Sequence, residues 1–340
     1  MCQLLNCLTK NKERIMSENP LKIASVEKKQ GASLKSTSNR REETKAKFER
    51  LWLVSPHQFD PMRNAIERLR ISRTFDLIKS TAPIQDHSAV DLGCGSGTLS
   101  FLLRDSGAIV TAVDIAQNAL KLIEQENKLH ITTKQEYVPK TTLEDNSFDL
   151  VIATELINYL QADDYRLFFS ELARLITDEG YVICSTPVDF TSEDAVQRLA
   201  DLAATEFDIE KWSFSYHMLY IKLRSFLKAP KRFTKGARDK SYRKETLSKR
   251  QGISKLWYRF NSTKIPAFFW RFIAFVFAPL DRFIAQSKTL VMLLEKISKA
   301  LFSTRAISHV IFIAKRRPFI PPTESEFQPR EIKHKKQVWE

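Results

Sequence analysis

The sequence predicts an α/β fold: a doubly wound, mostly parallel sheet with helices on both faces and a helical insertion before its last strand. Three observations carry this. From residue 88 to about 212, short apolar runs alternate with segments of helical period. The first apolar run ends in a glycine-rich turn, AVDLGCGSGTLS, from Ala89 to Ser100. A last apolar run, HVIFIA from His309 to Ala314, is separated from the rest by the compositionally different segment 213–307.

The N-terminal 45 residues are polar, rich in Lys, Ser, Glu and Gln, and lack periodicity, so they read as a disordered segment. Within them MCQLLNCLTK is too short and wrongly flanked for a secretory signal, and Met16 would serve equally well as a start. From Lys45 the pattern turns helical: KAKFERLWLVSPHQFD, then PMRNAIERLRISRTFDLIKS with Met62, Ile66, Leu69 and Phe75 at helical spacing. Such a helix would cap the domain or form one wall of a site.

Strands are expected near 89–92, 108–113, 131–138, 148–154, 181–186 and 206–212, and helices near 97–104, 116–127, 163–176 and 192–204. The core domain is then 46–212 plus 308–315, and the Pro-rich, charged residues 316–340 form an extended or disordered tail. In a sheet of this kind ligands bind at the C-terminal ends of the strands, beside the topological switch. With 43% hydrophobic residues the chain can build a sizeable core. Cys2, Cys7, Cys94 and Cys184 show neither a disulfide framework nor metal spacing, which fits a reducing, cytoplasmic setting and leaves no metal site expected.

The glycine turn carries the chemistry. Glycine lets backbone approach a ligand that a Cβ would push away. A dinucleotide turn, G-x-G-x-x-G, would need glycine at 98, but that residue is Thr98. The pattern is instead D-x-G-x-G-x-G through Asp91, Gly93, Gly95 and Gly97. Asp114 closes the second strand, IVTAVDIA, where a carboxylate can accept both hydroxyls of a ribose; the same logic serves NAD, so Asp114 does not decide by itself.

Taken in order and at their spacing, VDLGCGSG, VTAVDIA and NSFDLVIATELINYL resemble the class I S-adenosylmethionine-dependent methyltransferases, over about residues 88–212 plus the last strand. The resemblance implies S-adenosylmethionine as cofactor. It also implies the family's seven-stranded, Rossmann-like fold, whose sixth and seventh strands form an antiparallel pair at one edge. It sets the Gly93–Gly97 backbone against the methionine and ribose portions, gives Asp91 the amino group and Asp114 the ribose, and adds Cys94, Ile115, Tyr137, Val138 and Thr154 to the cofactor set.

Two positions depart from the family pattern. Tyr137 stands where many members carry an acid near the adenine amino group. In the subgroup that methylates quinone precursors and other small molecules, an E-V-L-E-H motif falls on Glu155-Leu156-Ile157-Asn158-Tyr159, so the glutamate is kept and the imidazole is replaced by a phenol. Glu155, Tyr159 and His217 are the candidate catalytic groups. Each has a structural alternative: a helix N-terminal carboxylate, a packed aromatic, and a surface residue on an amphipathic helix. The absence of N-P-P-Y or D-P-P-Y disfavours amino-methylation of DNA bases, and Cys184, inside ICSTP, reads as a buried small residue.

The net charge of +14 is concentrated: between Lys222 and Lys264 fifteen Lys and Arg face two acids, Asp239 and Glu245. IPAFFWRFIAFVFAPL follows, then TLVMLLEKISKALF with Leu290, Leu293, Leu294, Ile297 and Leu301 on one face. The apolar run is too short and too charged to span a bilayer. Three readings of this insertion stand side by side. It lies in the interface of an anionic membrane; it packs as a lid over the substrate pocket; or its basic residues, interleaved with Phe233, Tyr242 and Trp257, track a nucleic acid. The dense apolar run disfavours nucleic acid. The expected function is methylation of an apolar or lipid-like small molecule, such as a quinone precursor, by a cytoplasmic protein peripheral to a membrane. The alternatives are an RNA methyltransferase and a cofactor-binding scaffold without catalysis.

Overall fold

The computed structural model describes residues 30–56, 64–126, 130–188 and 195–317. Among the described residues two helices, α1 (Gln30–Val54) and α2 (Ala65–Lys79), precede the sheet. Then come β1 (Ser88–Leu92), α3 (Thr98–Asp105), β2 (Ile109–Asp114), α4 (Gln117–Glu126), β3 (Ile131–Gln135) and β4 (Phe148–Thr154). The second half of the sheet follows as α5 (Tyr165–Leu175), β5 (Ile176–Pro187), α6 (Ala195–Ala203) and β6 (Phe207–Ser215). After the insertion, β7 (His309–Arg316) closes the sheet.

The seven strands lie in the order β3-β2-β1-β4-β5-β7-β6. Pairings from β3 through β5 are parallel, whereas β7 runs antiparallel to both β5 and β6. The strand order reverses between β1 and β4, and the chain leaves both strands at the same end of the sheet. Near-continuous burial of β1, β4 and β7 explains why these strands read as unbroken apolar runs: helices cover both faces. One face packs Leu92, Val151, Phe168, Leu172 and Phe312 together, and the other packs Leu103, Ile123, Ile152 and Ile313.

Several boundaries differ from the sequence expectation. The first helix begins at Gln30, inside the segment read as disordered, and residues 1–29 of that segment lie outside the described residues. Its first half, QGASLKSTSNRR, is polar and carries no apolar periodicity, so the pattern that would reveal a helix is missing there. β3 stops at Gln135, which leaves Tyr137 and Val138 in the connection that follows. β5 starts five residues before Tyr181, at Ile176, with an irregularity opposite Phe148 and Leu150. Residues 192–194 and the tail from 318 lie outside the described residues.

The insertion is helical throughout, including its basic stretch: α7 (Met218–Leu227), α8 (Ala229–Arg238), α9 (Lys240–Ser248), α10 (Gly252–Asn261), α11 (Lys264–Gln286) and α12 (Lys288–Phe302). Asp239 starts α9 by accepting from Tyr242 N at 2.9 Å, and Ser287 starts α12 by accepting from Leu290 N at 3.3 Å. Phe233 is buried among Trp257, Tyr258 and Trp270 at centroid distances of 4.9, 5.6 and 5.1 Å. It is thus a core side chain of the insertion and offers no stacking surface for a base.

The insertion grips the domain through α2. Ala65 and Leu69 pack with Tyr220, Leu227, Ile284 and Val291. Arg73 clamps Glu295 of α12 with two bonds of 2.8 and 2.6 Å and also reaches Ser215 Oγ at 2.8 Å. Arg224 and Asp281 tie α7 to α11 at 2.7 Å. The opposite face of α11 is bare: Ile265, Phe268, Phe269, Phe272, Phe275 and Phe283 are between 64% and 78% exposed. At 3.6 residues per turn these positions fall on one side of the helix and make a ridge.

Candidate active site

A cleft of about 520 Å³ opens at the C-terminal ends of β1, β2 and β4. Asp91, Gly93, Cys94, Gly95, Asp114, Ile115, Tyr137, Val138, Thr154, Glu155 and Tyr159 all line it, so residues up to 68 positions apart in the chain meet there. Gly97 and His217 do not line it.

The glycines show why each is needed. Gly93 has φ of +71°, and a Cβ there would stand 2.6 Å from Leu156. Gly95 has φ of +54°, with Trp52 3.0 Å from the same point. L-residues rarely adopt this conformation, so the turn is reserved for glycine twice over. Gly97, at φ +78°, begins α3 and presses against Ile123, which a Cβ would meet at 2.7 Å. It packs α3 against α4 beneath the turn.

Two carboxylates hold the turn. Asp114 accepts from Gly95 N at 3.0 Å and from Ala116 N at 2.8 Å, joining the glycine loop to the start of α4. Asp91 accepts from Ser100 Oγ at 2.6 Å. Burial pushes the Asp91 carboxyl up to about 6, and the Ser100 hydrogen bond only partly opposes it. Burial likewise raises Asp114 and the Cys94 thiol. Burial raises Cys184 too, and with no other contributor it behaves as the core side chain its strand position suggested.

The N-terminal helices form the outer wall, as helical spacing before the first strand allowed. Arg40, Thr44, Phe48 and Trp52 from α1 line the cleft, with Asn64, Glu67, Arg70 and Ile71 around α2. Glu49 accepts from Gln117 N at 2.7 Å and Asn118 N at 3.0 Å, so α1 caps the N-terminus of α4. Phe48 meets the Tyr159 ring edge-on at 5.1 Å, and the Arg41 guanidinium sits 5.5 Å over Tyr137. None of these α1 and α2 residues was named from sequence. The nearest signal was the apolar cluster LWLV, which contains Trp52.

The candidate catalytic groups separate. Glu155 sits just past β4 at φ +62°, a rare backbone for a residue with a Cβ. Its Oε1 accepts from Ser185 Oγ at 3.0 Å, lies 2.5 Å from His309 Nε2 and 4.0 Å from Arg70 Nε. Burial works to raise the Glu155 carboxyl, but the His309 hydrogen bond and charge, with Arg70 and Ser185, outweigh it and leave it below the usual range. Tyr159 faces the cleft half exposed, and partial burial with the nearby Glu155 charge raises its phenol, so it is a protonated hydrogen-bonding group at neutral pH.

His217 is not the exposed helix residue that its neighbours suggested. It is buried beneath α12, with Nε2 4.0 Å from Glu295 Oε1, and burial drives its pKa down to about 4. The insertion covers the end of β6, which removes His217 from the cleft. No residue of 213–307 lines the cleft among the described residues.

Residues 90–184 match the family described as "Methyltransferase domain". Among curated proteins, the chain is 26% identical over 133 residues to the ubiquinone biosynthesis O-methyltransferase of Pelagibacter ubique, covering 38% of this chain and 54% of that protein. It is 30% identical over 169 residues to the mitochondrial ubiquinone biosynthesis O-methyltransferase of Arabidopsis thaliana, covering 45% and 52%. The chain thus spans about half the length of the curated relatives it matches. A solved structure, the N-methyltransferase NodS from Bradyrhizobium japonicum with S-adenosyl-L-homocysteine, aligns at 16% identity and a TM-score of 0.43, over 50% of this chain and 89% of that one. Residues 90–184 thus match a methyltransferase domain, set on a seven-stranded sheet with the glycine turn and the acidic β2 end that the sequence resemblance led one to expect.

Proposed function

We propose that this protein transfers a methyl group from S-adenosylmethionine to the hydroxyl of an apolar phenolic small molecule, of the quinone-precursor kind, at the surface of an anionic membrane in the cytoplasm. The observation that carries the reading is the joining of a glycine-and-carboxylate cradle to one ionised glutamate in a single cleft. The domain match and the names of the curated relatives support the same chemistry.

The residues present fit the cofactor. Gly93 and Gly95 let the turn backbone line the cleft while packing against Leu156 and Trp52, where any Cβ would collide, and the volume suits a small-molecule site. Asp91 would take the amino group, Asp114 the ribose hydroxyls, and Ile115, Tyr137 and Val138 the adenine surroundings. When bound, S-adenosylmethionine supplies a methyl group already activated on a sulfonium. The protein's part is then to orient the acceptor oxygen in line and receive its proton. Glu155 does the second: it lines the cleft and is ionised at neutral pH. Tyr159 and Phe48 supply an aromatic edge against which a phenol can rest.

The membrane part rests on the insertion. The exposed phenylalanine ridge of α11 is flanked by helices that carry most of the protein's net charge. Such a surface favours acyl chains beside anionic headgroups over a polar RNA surface. Among the described residues no helix is long and apolar enough to cross a membrane.

The test is incubation of purified protein and labelled S-adenosylmethionine with catechols of increasing alkyl length, on anionic vesicles or on RNA. O-methylated catechol is the expected product, formed faster with vesicles. Methylated RNA alone would replace the reading, and cofactor binding without turnover on any acceptor would leave a scaffold.

A further inference from the structure

Position 159 lacks an imidazole, but one on a different strand contacts Glu155. β7 begins at His309, and its pairing with Pro187 of β5 brings His309 Nε2 to 2.5 Å from Glu155 Oε1, across 154 positions of sequence. Ser185 and Arg70 point at the same oxygen, at 3.0 and 4.0 Å. Every polar contact of the Glu155 carboxylate among the described residues therefore falls on Oε1. No polar contact to Oε2 occurs among the described residues, and Glu155 lines the cleft.

His309 Nδ1 is buried without a partner, so a proton there would be an unsatisfied donor. The short contact to a carboxylate requires a proton on Nε2. In this contact Nε2 is the donor and Glu155 Oε1 the acceptor. Glu155 itself pays for its direction with a left-handed φ of +62°, a strain that persists only where surrounding contacts impose it.

We propose that His309 is a positioning residue for methyl transfer, fixing Glu155 Oε1 so that Oε2 meets the acceptor hydroxyl. This rests on the phenol-methylating function proposed above. The acceptor O–H bond breaks as its oxygen bonds the methyl carbon, and the methyl–sulfur bond breaks with its electron pair left on sulfur. The proton goes to Glu155 Oε2 and from there to solvent. The charged and titratable groups facing Glu155 are Arg70 and Glu67 of α2, Tyr159 in the connection after β4, and His309 of β7, behind which lie His217 and Glu295.

The test compares His309→Phe, His309→Asn and His309→Gln in the full-length protein. Phe and Asn cannot place a donor at the Nε2 position, whereas the amide of Gln can. The Glu155 carboxyl is titrated by carbon NMR of glutamate-labelled protein, assigned by difference with Glu155→Gln. Its midpoint should rise by about one pH unit in the Phe and Asn variants and return in Gln. With a catechol acceptor, kcat should fall about 10- to 100-fold, the acid limb of its pH profile should move up with the midpoint, and cofactor Kd should stay within twofold. If His309→Phe fails to fold, His309→Asn gives the same reading. An unmoved Glu155 midpoint, or wild-type kcat and acid limb, overturns the proposal. The titration uses no acceptor, so wild-type protein inert towards every catechol would refute the proposed function while the His309–Glu155 pair is judged separately.

Discussion

The Trp52 indole lies 3.0 Å from the point where a Cβ on Gly95 would stand, so α1 roofs the turn after β1. A Gly95→Ala variant therefore meets two penalties, a side chain at φ +54° and a ring in its way. We expect a loss of about 1–3 kcal/mol in stability and no cofactor binding detectable by calorimetry. Adding Trp52→Ala should recover part of the stability, because only the steric part is relieved.

Asp114 divides its oxygens between Gly95 N and Ala116 N, so its removal loosens both the loop and the start of α4. Hydrogen bonds to a charged group contribute about 1.5–3 kcal/mol. Asp114→Ala should weaken cofactor binding by at least about tenfold. Asp114→Asn, which keeps one acceptor oxygen, should fall between it and wild type.

Glu49 joins α1 to the start of α4 through Gln117 N and Asn118 N. Replacement by Ala should cost about 0.5–2 kcal/mol by thermal melting, the range for a lost helix cap. Hydrogen exchange should rise in both α1 and α4. Exchange confined to α1 would mean that the cap does not stabilise α4.

Asp91 and His217 should tilt the pH dependence of stability in opposite directions. The Asp91 carboxyl holds its proton up to about pH 6 when folded, above its ordinary value, so its contribution is full at low pH and is lost as pH rises from about 4 to 6. Folded His217 stays neutral down to about pH 4, so its contribution is full above about pH 6.5 and is lost as pH falls towards 4. Asp91→Asn should make stability rise more steeply with pH across this window, and His217→Phe should make it fall more steeply. Melting temperatures measured from pH 4 to 7 give both differences, and parallel curves for variant and wild type would refute either assignment.

Phe272 and Phe275 stand 72% and 77% exposed on α11 and contribute nothing to the domain core. Burial of an aromatic side chain contributes roughly 1.5–3 kcal/mol. The double variant Phe272→Ser/Phe275→Ser should lose sedimentation with anionic vesicles at least tenfold while its melting temperature is unchanged or raised. Raising salt should weaken vesicle binding of the wild type, because the basic helices act through screened charge.

Much of the domain was legible before its structure because its information is local. The doubly wound sheet, the glycine cradle and Asp114 follow from the two periodicities and from glycine's access to positive φ, and each of these is encoded within a dozen neighbouring residues. The long contacts are not. Trp52 over Gly95, Glu49 on α4 and His309 against Glu155 depend on how separate elements dock, and no spacing announces them. The same docking buried His217 beneath α12 and turned Gly97 towards Ile123, although local pattern pointed both at the cleft. The sequence by itself determined the turn that holds a methyl donor; only the tertiary structure decided which distant side chains roof that turn and which imidazole stands behind its glutamate.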